Sequence, residues 1–264
     1  MPDGLWTRCE GCKSVVYKKK VEEKLSVCPE CNFHFRIPTS ERIKIMLDEG
    51  SFEEYWKDMS PVDPLNFKDR ISYKDRVKME KKKTGLNEAA TAGKGTIEGK
   101  EVIFVVTDPS FIMGSMGSVV GEKIARAAEK ALELRLPIII VSGSGGGARM
   151  HEGAFSLMQM AKTSFVLSRL HEAGILFVSI LTDPTLGGVM ASYASQADII
   201  VGEPGALVGF AGPRVIRETI KKTLPKGFQT TEFMLEHGFI DMIIERGRLK
   251  QELSKILEFC DSVH

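Results

Sequence analysis

The chain has 264 residues, enough for one large domain and a small appendage. Hydrophobic residues make up 43 % and the net charge is +1, so composition supplies an ordinary globular core and no global field for nucleic acid or membranes. The longest apolar run, Leu136 to Val141, is far short of the roughly 18 residues a membrane-spanning helix needs.

The first element is a pair of cysteine knuckles, Cys9-x2-Cys12 and Cys28-x2-Cys31, separated by fifteen residues. Two such turns bring together the four thiolates that tetrahedral Zn²⁺ prefers. Two disulfides are the other reading of four cysteines. Residues 1–30 hold no apolar h-region and no cleavage site, so nothing directs the chain to an oxidising compartment. The expectation is therefore one structural zinc in a cytoplasmic protein, with no ligand position left open for chemistry. Residues 1–38 carry seven basic and five acidic side chains, a surplus that the −2 of a zinc tetrathiolate cancels. Lys18, Lys19 and Lys20 are read as a solvated hairpin turn, and nucleic-acid binding through this ribbon is not favoured. Cys260 has no cysteine partner in the spacing and is read as a plain thiol.

The ribbon ends near Pro38, and Thr39 or Ser40 is placed to cap a helix carrying Ile43 and Leu47. Pro61 and Pro64 break the segment after that helix. Residues 68–83 are strongly basic, which reads as a solvated helix face able to steer a polyanionic ligand. The segment 39–91 is accordingly expected to connect a ribbon, 1–38, to a main domain, 92–264. From about residue 92 strands and helices alternate. Glu101–Thr107 is a buried strand paired with Gly95–Ile97 across Glu98–Gly99. Helices are expected over Gly117–Arg135 and Phe155–His171, strands over Pro137–Val141, Ile175–Leu181 and Ile199–Val201, with a further helix after Gly188. Repeated strand–helix units predict an α/β domain.

Each strand runs into glycines. Ser142-Gly143-Ser144-Gly145-Gly146-Gly147-Ala148-Arg149 and Asp183-Pro184-Thr185-Leu186-Gly187-Gly188 both come after a strand and precede a predicted helix. Glycine there lets backbone approach a ligand, with unpaired amides pointing at it. Two such loops at one topological position suit an oxyanion hole; each alone is as well explained as a tight turn. Gly114-Ser115-Met116-Gly117 opens a helix at Ser118 and suits phosphate or a pantetheine chain, or simple capping by Ser115 or Ser118. Gly209-Phe210-Ala211-Gly212-Pro213-Arg214 is a further tight loop, with Pro213 at a helix start and Arg214 placed to meet an anion. There is no GxxxxGK[ST], no GxSxG, no HExxH and no dinucleotide GxGxxG after a first strand. His34, His171, His237 and His264 have no metal-ligand spacing. The site stabilises an anion without an evident enzyme base, which leaves the proton acceptor to a cofactor or substrate.

These residues match a known family. From Gly4-Leu5-Trp6-Thr7 onward the chain resembles the β-subunit family of bacterial acetyl-coenzyme A carboxylase carboxyltransferases. The resemblance rests on Val27-Cys28-Pro29-Glu30-Cys31, Gly114–Gly117, Gly146–Met150, Ser156–Ser164, Leu181–Val189 and Gly209–Ile216, in that order. It implies a crotonase-like (ClpP/crotonase) fold of repeated ββα units behind the four-cysteine ribbon. It implies a heterotetramer of two α and two β subunits, and transfer of a carboxyl group from carboxybiotin on a biotin carrier protein, charged by biotin carboxylase, to acetyl-coenzyme A. The product is malonyl-coenzyme A for fatty acid synthesis. By resemblance, amides of Gly146, Gly147, Gly187 and Gly188 hold an enolate or ureido oxygen. Gly114, Ser115, Met116, Gly117, Arg149, Phe210, Gly212 and Arg214 then belong to the coenzyme A side of the site. Cys9, Cys12, Cys28 and Cys31 hold the zinc. Departures from the pattern are the extra glycine in Gly145-Gly146-Gly147, which leaves the amide register open by one residue, His151 in place of glutamine, and Ile112-Met113 before a single Gly114. A lone crotonase-type hydratase or thioesterase needs carboxylates in the glycine loops, which are missing. A ribbon that binds RNA or DNA is the remaining alternative.

Overall fold

The computed structural model describes residues 5–261, the Arg214 side chain apart. The ribbon opens with an antiparallel pair, β1 (Trp6–Arg8) and β2 (Val15–Tyr17), and continues into α1 (Lys18–Glu23). The lysines expected in a hairpin turn thus begin a short helix, anchored by its one buried residue, Val21. The two knuckles repeat one hydrogen-bond pattern: Cys9 N donates to Ser14 O and Cys28 N to Phe33 O, while Lys13 N returns to Cys9 O and Asn32 N to Cys28 O.

Next come α2 (Thr39–Met46), β3 (Glu53–Tyr55) and α3 (Tyr73–Thr84). Thr39 does not cap α2 with its own side chain. Its amide and hydroxyl both donate to Asp108, 3.0 Å away, so a distant carboxylate satisfies the helix start. Ser72 caps α3 by accepting from Asp75 N, and Gly85, at φ 74°, ends it.

The main sheet begins with β4 (Ala90–Ile97) and β5 (Lys100–Thr107), an antiparallel hairpin turned at Glu98–Gly99. Then come α4 (Ser118–Leu134), β6 (Ile138–Ser144), α5 (Ala154–Glu172), β7 (Phe177–Leu186), β8 (Ile199–Gly202) and β9 (Val208–Gly209). The chain closes with α6 (Pro213–Ile220), α7 (Thr231–Glu236), β10 (Met242–Ile243) and α8 (Leu249–Asp261). The sheet order is β10-β8-β7-β6-β5-β4-β3, with β9 beside β7; from β5 to β10 the neighbours are parallel. The stretch expected only to connect two domains therefore supplies an edge strand, through β3, and core residues Met46 and Leu47.

Both sheet faces are covered. Ile103, Val105, Ile138 and Ile140 pack with α4 and α5, while Val102, Phe104, Val106, Ile139 and Val141 pack with α2 and α8. Burial on both faces is why these strands read as unbroken apolar runs rather than alternating ones. The helix expected after Gly188 does not form. Residues 187–192 make a compact turn and Tyr193–Ser195 a single 3₁₀ turn. Ser192 lies at φ −121°, ψ −101°, outside the helical region, so a helix cannot run on through it.

Candidate active site and zinc ribbon

The glycine loops leave the C-terminal ends of β5, β6 and β7, the edge where open parallel sheets take their ligands. The loop after β6 and the loop after β7 meet backbone to backbone. A Cβ on Gly187 would stand 2.8 Å from Gly147 Cα, and one on Gly147 would stand 3.5 Å from Gly188 N. Gly187 also sits at φ 67°, so any side chain there is strained as well as crowded.

The four candidate glycines divide by what their amides do. Gly146 N donates to Met113 O at 3.2 Å, beside Gly145 N at 2.9 Å; Gly187 N donates to Gly209 O at 3.1 Å. The amides of Gly147 and Gly188 make no hydrogen bond to a described residue, nor do those of Ala148 and Val189. Gly146 and Gly187 are thus anchors, and their successors carry the unspent donors. The register left open by the extra glycine is narrowed to the unbonded amides of Gly147 and Ala148.

The turn holding Met113 O is strained. Ile112, Met113 and Gly114 lie at φ 44°, 56° and 66°, three consecutive left-handed residues of which only one is glycine. Each non-glycine residue there costs about 1–2 kcal/mol. A Cβ on Gly114 would collide with Gly143 O, so that position admits no side chain.

Arg149, expected to contact substrate, is 1 % exposed. Its guanidinium donates to Glu88 at 2.6 and 2.8 Å, to Ser115 O at 2.9 Å, to Ser115 Oγ at 3.1 Å and to Tyr73 Oη at 3.0 Å. All its donors are spent inside the protein, so it braces the loop instead of reaching a ligand. Burial by itself disfavours its charge; the Glu88 carboxylate overrides this and holds Arg149 firmly protonated. Tyr73 donates to Glu152 at 2.6 Å, and burial pushes its hydroxyl well above the usual range, so it stays neutral. Glu152 in turn accepts Ser118 N at 2.6 Å. The start of α4 is therefore capped by this carboxylate, not by Ser115 or Ser118. Ser115 and Met116 are buried, and a Cβ on Gly117 would strike Arg149 and Glu152. His151 stacks on Tyr73, 4.9 Å between ring centroids, with burial holding its pKa low.

Phe210 is 71 % exposed. Gly212 precedes α6, with Pro213 at its first position as expected. The Arg214 side chain and His264 lie outside the described residues. His34 is buried at the ribbon contact, whereas His171 and His237 are exposed.

In the ribbon the Cys9, Cys12, Cys28 and Cys31 sulfurs all lie within 4.8 Å of one another, with Cys9–Cys31 at 3.6 Å and Cys12–Cys28 at 4.0 Å. Zn–S bonds of about 2.3 Å give tetrahedral S–S edges of roughly 3.8 Å, so the donor set fits zinc. The same cysteines are free of disulfides. The ribbon is held to the main domain by two arginines, Arg246 through its carbonyls and Arg36 from its own end. Arg246 donates to Glu203 at 2.8 and 2.9 Å and to the carbonyls of Leu25 and Ser26 at 3.1 Å. Arg42 meets the same Glu203 at 2.5 Å. Arg36 reaches Asp183, at the root of the second glycine loop, at 3.0 Å.

Sequence reasoning missed Glu88, Tyr73, Glu152, Glu203 and Arg246. Their partners are remote in the chain, and the one local signal was an acid directly before the apolar start of β4.

A fold of this topology, with amide-lined loops at one sheet edge and a four-cysteine ribbon, defines a carboxyl transferase by comparison. Residues 38–258 match the model described as "Carboxyl transferase domain", and residues 6–31 match the "Acetyl-CoA carboxylase zinc finger domain". A transcarboxylase 12S structure with methylmalonyl-coenzyme A and methylmalonic acid bound superposes with a TM-score of 0.71 at 23 % identity, covering 92 % of this chain and 44 % of that one. A Pseudomonas malonate decarboxylase hetero-dimer gives 0.66 at 18 %, covering 84 % and 86 %. These establish the crotonase-like fold. A Rhodopirellula baltica protein named acetyl-coenzyme A carboxylase carboxyl transferase subunit beta is 53 % identical over 98 % of this chain and 83 % of its own length. A Desulforamulus reducens protein of the same name is 54 % identical over 97 % and 88 %. The chain belongs to the acetyl-coenzyme A carboxylase carboxyl transferase subunit beta family, as a biotin-dependent carboxyltransferase subunit with a structural zinc ribbon.

Proposed function

We propose that this chain binds acetyl-coenzyme A at its glycine loops and, with an α subunit, carboxylates it to malonyl-coenzyme A for fatty acid synthesis. The observation that carries this reading is that Gly147 and Gly188, on loops in direct contact, are among the four loop amides left without a partner in the described residues. Gly146 and Gly187, tied to Met113 O and Gly209 O, anchor the backbone that carries those amides. Aimed at the thioester oxygen, they stabilise negative charge as it develops; one such donor is worth about 3–4 kcal/mol of barrier. Carboxybiotin, when bound, supplies the carboxyl group and then the base for the methyl proton.

The chain's own carboxylates near the loops support an external base. Asp183 is engaged by Arg36 and by Leu207 N, and Glu152 by Tyr73 and Ser118 N. Gly114, Ser115, Met116 and Gly117 shape the wall beside the pantetheine arm. Phe210, Gly212 and Arg214 are assigned to the coenzyme A side of the site by the family resemblance. Arg149 acts behind the wall as a brace.

The partner reading rests on an apolar face beside the site: Met150, Phe155, Leu157, Met158 and Phe165 are all exposed. A Clostridium tetani relative named subunits beta/alpha is 53 % identical over 98 % of this chain but 44 % of its own length, so β and α sequence occur there in one polypeptide. An α₂β₂ assembly, served by a biotin carboxyl carrier protein and biotin carboxylase in the cytoplasm, is part of the proposal. No helix among the described residues is long and apolar enough to cross a membrane.

The test is reconstitution. The purified chain, an α subunit and carboxylated biotin should form malonyl-coenzyme A only when acetyl-coenzyme A is added, and the chain alone should not. Failure of the complete mixture to transfer carboxyl overturns the reading.

A further inference from the structure

His151 is 7 % exposed, yet neither of its ring nitrogens has a hydrogen-bond partner among the described residues. Buried polar groups are normally paired, so this one calls for an account. The ring stacks on Tyr73 at 4.9 Å and meets Phe67 edge-on at 5.2 Å between centroids. Packing explains why a ring sits here, not why the ring is an imidazole. Tyr73 is also the donor to Glu152, and Glu152 accepts Ser118 N at the start of α4. Arg149 joins Tyr73 to Glu88 and Ser115. The same segment pins the first glycine loop: Gly147 O accepts from Met116 N at 3.0 Å, and Met116 O from Arg149 N at 2.9 Å. His151 thus lies against the brace that carries the Gly147 backbone, at a position where the family pattern has glutamine, which does not titrate.

The charged groups facing the imidazole are Arg76 from α3, Asp69 from the segment before α3, and Arg149 and Glu152 from its own turn. Burial opposes a positive charge on the ring, and both arginines add to that; the two acids favour it. Asp69 is exposed, and Glu152 is already engaged by Tyr73 and Ser118 N. A protonated ring therefore has no free acceptor where it sits. It gains one by drawing Glu152 from Tyr73, or by leaving the Tyr73 stack for Asp69 and solvent. Each move undoes the brace. We propose that His151 is a positioning residue for the first glycine loop, and that taking up a proton there releases the brace and makes carboxyl transfer fall off in acid. The inference rests on the proposed function above and adds a residue that acts through Tyr73 and Glu152 without touching substrate. The direction follows from linkage. An imidazole held neutral by burial binds its proton more readily once the turn opens, so the packed turn is fully stable above the ordinary 6.5 and weakens as pH falls below it.

The experiment uses the full chain with its α subunit, unaltered and as His151→Gln and His151→Phe, neither of which titrates at this position. The first readout is kcat for carboxyl transfer to acetyl-coenzyme A from about pH 8 down to about pH 5, each protein scaled to its own maximum. The unaltered enzyme should lose activity at a higher pH than both variants. The second readout needs no turnover: hydrogen exchange over residues 114–118, corrected for the intrinsic effect of pH. In the unaltered chain alone, the opening constant should rise about 10-fold for each pH unit below the ordinary histidine value. Scaled profiles that coincide overturn the proposal, including the case of a variant slower by one factor at every pH, the mark of a purely structural role. Exchange that is the same in all three proteins overturns it too. If the unaltered enzyme transfers nothing while exchange follows the expected course, the proposed function fails and the link from His151 to the loop stands.

Discussion

A Cβ at position 188 would stand 3.1 Å from Met160 Sδ and 3.4 Å from Ala148 N. Methionine can yield; the backbone amide cannot. Valine there adds two further methyl groups between loops already in contact, so the Gly188 amide is displaced or covered. Gly188→Val should lower kcat by about 10²–10³, the usual loss for one oxyanion donor, with far-UV circular dichroism unchanged. Near-normal turnover in that variant would remove Gly188 from the site. The distinction between Gly146 and Gly147 was not legible in the sequence, where both are one letter in a run of three. It is decided by a single acceptor, Met113 O, thirty-three residues upstream, whose position depends on a strained turn. The glycine loops themselves were legible because each comes after a strand in a regular order. Arg149 was misread for a related reason. An arginine beside a ligand loop resembles an anion contact until Glu88, from the start of another strand, is seen to occupy it.

At the scale of elements, the buried parallel strands announced themselves and the short edge strands did not. Val102–Val106 and Ile138–Val141 are apolar throughout because both faces of the sheet are covered. Strand β3, with the sequence Glu53-Glu54-Tyr55, has no such pattern and is held by backbone pairing to Ala92–Lys94. The ribbon was readable as chemistry, since four cysteines at fixed spacing need no long-range information, but its docking was not. Arg246 is more than two hundred residues from the Leu25 and Ser26 carbonyls it bonds. This docking shapes the expected behaviour of the metal site. Cys28 is buried among Cys9, Val16 and Val21. Cys28→Ser should release the approximately one zinc per chain measured by elemental analysis and loosen the ribbon. The main sheet should persist, because its two cores contain no ribbon residue. A full zinc complement in the variant would contradict the four-thiolate assignment.

Across the whole molecule, one carboxylate joins α2, the end of β8 and the segment before α8, and through Arg246 it reaches the ribbon. Glu203 is 2 % exposed, pairs with both Arg42 and Arg246, and its backbone is tied to Leu181 and Thr231. Burial alone would raise its pKa; Arg42, seconded by Arg246, reverses the shift and brings it down to about 2 from an ordinary 4.5. A carboxyl whose folded pKa lies below its unfolded one contributes stability above the unfolded value and loses it as pH falls toward the folded one. The contribution should therefore be intact at neutral pH and decline between about 4.5 and about 2. Glu203→Gln removes the charge and strands two buried guanidinium groups. It should cost about 3–5 kcal/mol at neutral pH, read as a lower denaturant midpoint. It should also flatten the stability profile over that acid window, since the titrating group is gone. A variant as stable as the parent, with the same acid profile, would mean that Arg42 and Arg246 find water or other acceptors at the junction and that the clamp is not what joins ribbon to sheet.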